Sequence, residues 1–455
     1  MAQIHERTSE LSNAFQVRDI VRCIRGGTQA MRDAAERYLP REKAERRSVD
    51  QETGISFDPY RDRLKRSVLT NIPSEAVSRM VGKVLRKPTQ ATADYARHQQ
   101  LLETLLTDLD GQGSDLYDLQ LQLLTEAIWN GSAAILTDFI NGRAVAYFVH
   151  IDDILQADYV DGELVAVRIR EFEDKMNFDD MTKDVVKTEK AYIKNDGIVY
   201  WSRFSEGANG VRMQGEWVQT DLDNIPLFVF KAGEVLEGCG IACRSAVQNL
   251  IELAVLHWNK SSDHENILHI ANVPQLFAKG IASDEQLYFG VNRVIVSSDE
   301  NADLKWVEPG GTTVKYAMES LDRLEARMEA MGFSFVTPRS GAAETATGRA
   351  LKANESNSVL GGIARNLGVT LQKVFEQMLS YYKLSRTPVV SVSVNTDFGV
   401  SISADELNAL ASAYQSGALS RHYYIKELIR RGVLDGDMDT EENALRLQEE
   451  LDANI

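Results

Sequence analysis

Residues 239–348 constrain the fold more than any other stretch of this chain. Two runs with helical periodicity, 239–270 and 312–335, bracket a short mixed segment. In the second run Val314, Met318, Leu321, Leu324, Met328 and Met331 recur at spacings of three and four, which puts them on one helix face. The first run, about 30 residues long, would reach about 45 Å if unbroken. A polar stretch, TPRSGAAETATG, follows the second run, and its small hydroxylated residues suit a loop. This layout fits a subunit of a ring, in which the helices line a wall, the excursion protrudes from one end and the loop projects into the hole.

A chain of 455 residues exceeds what one hydrophobic core usually serves, so two to four structural units are expected. Its 44% hydrophobic content is that of a globular protein. The formal net charge of −17 argues against tight, sequence-reading contact with nucleic acid, which needs clustered Lys and Arg. It leaves open that DNA passes nearby, because like charge keeps a polyanion from sticking. Cys23, Cys239 and Cys243 form no CxxC pair and no even framework; they read as small buried residues of a reducing interior. The start lacks the apolar core of a signal peptide, and no apolar run is long enough for a membrane span. A cytosolic product is expected.

Along the chain, 1–110 reads as mostly helical. Residues 17–38 form an Arg-rich helical run closed by Pro40. Residues 58–87 form an amphipathic segment in which Pro73 is the first residue of a second helix and Pro88 the stop. Its basic side chains, Arg61, Arg63, Lys65, Arg66, Arg79, Lys83, Arg86 and Lys87, read as a nucleic-acid patch or, more simply, as a solvated face meeting an acidic neighbour. A helix over 115–130 ends at Gly131. The pattern then turns β-like at 133–138, 144–151, 164–172, 190–193 and 197–204, punctuated by Asn141-Gly142, Asp161-Gly162 and Asp196-Gly197. We read 133–230 as one antiparallel sheet packed on the preceding helices. Further on come strands at 291–297 and 304–307 and a turn at 309–311. A long helical pattern follows over 345–384, then a strand at 389–394 and a helical tail over 404–413, 421–431 and 441–451. Gly348, Gly361, Gly362 and Gly368 inside the long pattern each cost about 1 kcal/mol relative to Ala and mark kinks or close contacts. The fold class expected is α+β, mainly helical.

The chemistry-bearing motifs are sparse. The sequence contains no GxxxxGK[ST], no GxSxG and no HExxH. Gly238-Cys239-Gly240 begins a GxGxxG that Cys243 breaks, which reads as a loop feeding a helix. Ser380 and Lys383 have the spacing of a Ser/Lys nucleophile pair without its partner motifs. His257, Asp263, His264, Glu265 and His269 form the sharpest enzyme-like cluster. His257 and His264 are two turns apart, about 10 Å along a helix, so one metal ion can join them only if the helix breaks at Ser261–Ser262. Polar residues at a subunit interface are the simpler reading. The loop 337–347 carries one cation, Arg339, and one acid, Glu344; it reads equally as an element touching a passing polymer or as an ordinary solvent loop. No catalysis, cofactor or metal is expected.

Several segments, in order, resemble the portal proteins of tailed bacteriophages and prophages. They are YLPRE and GKVLRKP near the N-terminus, SSDHENILHIANVPQLFAKG, ETATGRALKANESNSVLGGIARNLGVTLQKVFEQML and LSRHYYIKELIRRGVLDGDMDTEENALRLQEE. The resemblance implies a cone-like homo-oligomeric ring, usually of twelve subunits, at one capsid vertex of the virion and made in the host cytoplasm. Double-stranded DNA would pass through its channel non-specifically during packaging and ejection. Residues 1–238 would form a wing, 239–270 and 312–336 stem helices, and 271–311 a clip. Residues 337–347 would be a tunnel loop, 348–404 a kinked wing helix and strand, and 405–455 a short crown-side helical region. The clip residues Pro274, Gln275, Lys279, Asp284, Glu285 and Arg293 would dock the terminase large subunit and later a head-completion or adaptor protein. Arg339, Ser340, Glu344, Thr345 and Thr347 would approach DNA. Arg63, Lys65, Arg66, His257 and His264 would lie at the subunit interface, where the basic 58–87 segment could meet the acidic end, 435–452, of a neighbour. Major capsid and scaffold proteins would be further partners; a membrane would not. A smaller head–tail connector protein and a metal enzyme built on the His257–His269 cluster are the alternatives.

Overall fold

The computed structural model describes residues 3–15, 18–43, 45–49, 56–176, 181–207, 210–236, 239–271, 275–279, 303–307, 311–333, 346–396, 398, 404–430 and 433–434. Four short helices open the chain: α1 (Ser9–Phe15), α2 (Arg18–Arg25), α3 (Gly27–Asp33) and α4 (Ala35–Tyr38). The single run expected over 17–38 is therefore divided. Gly27 stands at the first break with φ +76°, a conformation open to glycine. A two-residue ribbon, β1 (Ser48–Val49) with β2 (Ser56–Phe57), precedes α5 (Pro59–Arg66) and α6 (Ile72–Val84). The Asp58 side chain accepts from the Arg61 N–H and Pro59 occupies the first turn, so α5 starts where its cap residues dictate. Pro73 lies in the first turn of α6, as its missing N–H requires.

Next come β3 (Gln90–Ala93), α7 (Ala96–Leu106) and α8 (Leu116–Asn130). Asp115 and Asp118 cap α8 reciprocally, and Gly131 closes it at φ +84°. The β region holds β4 (Ser132–Ile140), β5 (Arg143–Val149), β6 (Ile154–Val160), β7 (Glu163–Met176), β8 (Lys183–Asn195), β9 (Ile198–Glu206), β10 (Arg212–Gln214), β11 (Val218–Gln219) and β12 (Leu227–Lys231). It forms two sheets where one was expected: β12-β4-β5, and β10-β9-β8-β7-β6 with β11 also on β9. Alternation at period two marks a strand but not its partner, which is why the split is invisible in the sequence. The three Asx-Gly turns do set local register, pairing Ile140 with Arg143, Val160 with Glu163 and Asn195 with Ile198. Both residues of each turn have positive φ, the tight-hairpin geometry that Asn-Gly and Asp-Gly favour. One apolar core includes Phe15 of α1, Ala134 and Leu136 of β4, and Val167 and Ile169 of β7, together with Ile241 and Ala242.

The last two residues explain a correction. The helix expected from 239 begins only at 248, as α9 (Gln248–Ala271). Ile241 and Ala242 are fully buried, Cys243 bridges to Val235, and the Ser132 hydroxyl donates to the Ile241 carbonyl at 2.6 Å. The segment also runs against Gly131, where an added Cβ would stand 2.4 Å from the Cys243 oxygen. Core burial and this close backbone approach hold the stretch out of a helix. Ser245 then opens α9: its hydroxyl accepts from the Val247 N–H and its carbonyl from the Gln248 N–H.

The remaining elements are β13 (Gln275–Lys279), β14 (Asp303–Val307), α10 (Gly311–Phe333), α11 (Ala346–Ser380), β15 (Val390–Ser393), α12 (Ala404–Gln415) and α13 (Arg421–Arg430). α11 is continuous through its four glycines. At Gly368 an added Cβ would lie 3.4 Å from the Val392 oxygen, an ordinary contact with β15 that glycine is not needed to make. β15 pairs antiparallel with β3 across nearly 300 residues of sequence. The strand expected at 291–297 and the helix at 441–451 lie outside the described residues. The chain divides into two compact units: Met1–Val21 with Ser74–Gln248 and Ala330–Ile455, and Arg22–Pro73 with Asn249–Glu329.

Candidate functional site

Within the second unit, α9 and α10 run antiparallel. His257 Nε2 lies 2.8 Å from Glu325 Oε1, and Lys260 Nζ donates to Ser320 Oγ at 3.0 Å. Three residues forward along α9 thus correspond to five residues back along α10. β13 and β14 continue the pairing in antiparallel register, from Gln275 opposite Val307 to Lys279 opposite Asp303. The apolar stripe foreseen on α10 is covered only in part. Leu324 and Met328 are buried, whereas Met318 is 56% exposed; Tyr316, off the stripe, is 66% exposed. Leu256 and Ile267 of α9 and Phe277 of β13 are exposed as well.

The basic segment is anchored in the same unit. Arg63, with 3% of its side chain exposed, donates to both oxygens of Glu45 at 2.6 and 2.9 Å, to Asp263 Oδ1 at 3.1 Å and to the Pro40 carbonyl at 3.3 Å. Beside it the Ser67 hydroxyl donates to Ser262 Oγ at 2.8 Å and Arg66 to Asn266 Oδ1 at 2.8 Å. Burial alone would raise the Glu45 carboxyl, but the paired Arg63 hydrogen bonds overcome it and hold Glu45 below the usual carboxylate range. Asp263 goes the other way: burial, reinforced by the charges of Glu42 and Glu45, raises it despite its single bond from Arg63. Hydrogen bonds from Arg41, with further help from Arg47, hold the Asp58 carboxyl far below its ordinary value. Lys65 is exposed and pairs with Asp62 at 3.2 Å.

The residues expected at a subunit interface therefore differ in what they do. Arg63, Arg66 and His257 have partners inside the chain, His264 is buried, and Lys65 faces solvent. Of the clip residues, Gln275 and Lys279 mark the two ends of β13; Pro274, Asp284, Glu285 and Arg293 lie outside the described residues. Of the loop residues, Thr347 stands in the first turn of α11; Arg339, Ser340, Glu344 and Thr345 lie outside the described residues.

The alternative chemistries meet specific geometry. α9 is unbroken through Ser261 and Ser262, so His257 and His264 stay about 10 Å apart. Among the described residues no group of three or more His, Cys, Asp or Glu side chains could hold a metal ion. The Ser380 hydroxyl donates to the Gln377 carbonyl at 2.6 Å, and Lys383 pairs with Asp221 at 2.6 Å, so neither addresses the other as nucleophile and base. Among the described residues no helix is long and apolar enough to cross a membrane. Sequence reasoning missed a cavity of about 620 Å³ in the first unit, lined from β4, β8, β9, the loop before β12 and the end of α11. Five separate stretches build it, and no local pattern announces such a convergence.

A family model described as "Domain of unknown function (DUF4055)" matches residues 247–382, which includes α9, α10 and α11. No curated protein matches the sequence. Among solved structures the chain is similar to a subunit of the "Neck of empty GTA particle computed with C6 symmetry", with 12% identity over 85% of this chain and 95% of that one and a TM-score of 0.49. It is also similar to one in the "Virion of native gene transfer agent (GTA) particle", with 11% identity over 83% and 89% and a TM-score of 0.45. A third, from the "Neck of native GTA particle computed with C12 symmetry", has 13% identity over 85% and 96% and a TM-score of 0.43.

Proposed function

We propose that this chain is a portal-type subunit, which assembles with copies of itself into a closed ring, of twelve in keeping with the resemblance of its sequence, at one capsid vertex. The observation that carries this reading is the α9–α10 pair. Its α10 stripe is buried at Leu324 and Met328 and continues, uncovered, to Met318; Tyr316, on another face of the same helix, is exposed as well. An apolar face that a single copy covers only in part is completed by a neighbouring subunit. In this reading double-stranded DNA passes through the ring during packaging and ejection. The net charge of −17 suits a conduit, because it limits phosphate binding that would hold the DNA in place. Residues 271–311 offer the docking face for a terminase and later for a head-completion protein, and 337–347 approach the DNA.

Imaging of the purified full-length chain tests the proposal. Closed rings with a central opening are the expected result; a protein that stays monomeric at every concentration, with and without capsid and scaffold proteins, would overturn it.

A further inference from the structure

The second unit has a pocket of its own, about 510 Å³, beside α5. Four cations line it, Arg41, Arg47, Arg61 and Lys65, against two acids, Asp58 and Asp62. Arg41 grips both Asp58 oxygens at 2.6 and 2.9 Å, and Arg47 Nε reaches Oδ2 at 2.9 Å, so one carboxylate answers two guanidiniums. Lys65 takes Asp62 at 3.2 Å. The Arg61 side chain is exposed and has no partner among the described residues. The lining therefore carries two positive charges that nothing in it answers.

The wall already binds one carboxylate, that of Asp58, and it is built to bind more. Arg41 lies over the Tyr60 ring, 4.6 Å from its centroid, and donates to the Glu45 carbonyl at 2.8 Å, so the wall is ordered before any ligand arrives. Arg47 uses only Nε on Asp58; its two terminal nitrogens have no partner among the described residues, and paired guanidinium N–H groups match the two oxygens of a carboxylate. The occupant can be sought within the chain itself. Residues 22–73 hold twelve Lys and Arg against eight Asp and Glu, in a chain whose net charge is −17. The segment 435–452 holds eight Asp and Glu against one Arg. In a closed ring every copy faces a neighbour, so the acidic segment of one can answer the pocket of the next. Single exposed charge pairs contribute little, but tethering in a ring raises the effective concentration enough for several of them to hold. A DNA duplex is the poorer occupant, because two unanswered charges neutralise few phosphates and the chain's overall charge repels the rest. Arg63 and Arg66 take no part, since both are engaged inside the unit.

We propose that this pocket receives carboxylates of the segment 435–452 from a neighbouring copy of the chain, an inference that rests on the ring reading above. In the test a fluorescently labelled peptide of residues 433–455 is titrated onto the full-length chain carrying Asp437→Lys, Asp439→Lys, Glu441→Lys and Glu442→Lys, whose own segment no longer competes. Saturable binding is expected. Adding Arg47→Glu and Arg61→Glu should weaken it by at least about tenfold, as should raising salt from about 50 to about 500 mM. Both arginines are exposed, so thermal stability should not move. No saturable binding, or indifference to the arginine variants, would overturn the proposal. A short DNA duplex that binds where the peptide does not would overturn it in favour of a phosphate site. This titration needs no ring, so its failure is distinct from a failure of the ring reading, which the native mass of the unaltered chain reports. The donor is identified in the unaltered chain. Isotopically light and heavy copies are mixed before assembly, carbodiimide joins Lys65 to carboxylates of the segment, and mass spectrometry sorts the linked peptides. Mixed light–heavy pairs are expected; unmixed pairs only, or none, would overturn the assignment to a neighbour.

Discussion

Arg63 and Lys65 are two residues apart in one basic run, yet the fold treats them oppositely. Arg63 is buried against Glu45, 18 residues upstream, and Asp263, 200 residues downstream, while Lys65 stays in solvent. Removing one partner of a buried charge pair leaves the other uncompensated, so Arg63→Ala should destabilise the second unit by about 3–5 kcal/mol. Lys65→Ala should change stability by less than about 0.5 kcal/mol. Denaturant unfolding followed by the buried Trp258 separates the two. Glu45 adds a pH dependence. Its folded carboxyl is held below its ordinary value of about 4.3, so its contribution is complete above that pH and is lost as pH falls through the folded value. Asp263, raised in the fold, opposes this trend, so the informative variant is Glu45→Gln. Its stability should decline less steeply than the native chain's as pH falls below about 4. Identical slopes would show that the pair does not tune Glu45. None of this was legible in the sequence, because the periodicity of 58–87 puts Arg63, Lys65 and Arg66 on a charged helix without saying what lies across from each.

At the scale of elements, local signals were read well and long-range ones were not. The Gly131 stop bounds α8, Pro73 sits in the first turn of α6, and the three Asx-Gly turns join the hairpins. Each depends on residues within one turn of the boundary. The failures share another cause. β3 is fixed by β15 from the far end of the chain, β12 lies beside β4, and 239–247 is kept out of a helix by core contacts although its composition permits one. The α10 stripe was legible as a pattern, but its division into covered and uncovered parts was not. That division yields a prediction for the helix. Tyr316→Glu combined with Met318→Glu places charge on side chains already exposed in the single chain, so subunit stability should change by less than about 1 kcal/mol. Self-association, measured by sedimentation, should weaken by at least about a hundredfold if two desolvated apolar contacts are lost. Unchanged association would remove α10 from the interface.

For the whole molecule, the portal reading rests on a helix pair with an unfinished apolar face in a strongly acidic chain. The order of segments that resembles portal proteins was visible in the sequence. Four of the five residues expected to meet DNA and most of those expected to dock a motor fall outside the described residues, so the site is legible as a layout more than as a set of contacts. The interface set changes in emphasis: Lys65 remains a surface charge, while Arg63 and His257 are engaged within the subunit. Native mass measurement of the purified full-length chain, across a range of concentrations, tests the account most directly. It predicts one closed species whose mass is a fixed multiple of the subunit's, twelve in keeping with the resemblance, dispersed by the Tyr316/Met318 double variant. A monomer throughout, or an open series of sizes that never closes, would contradict it.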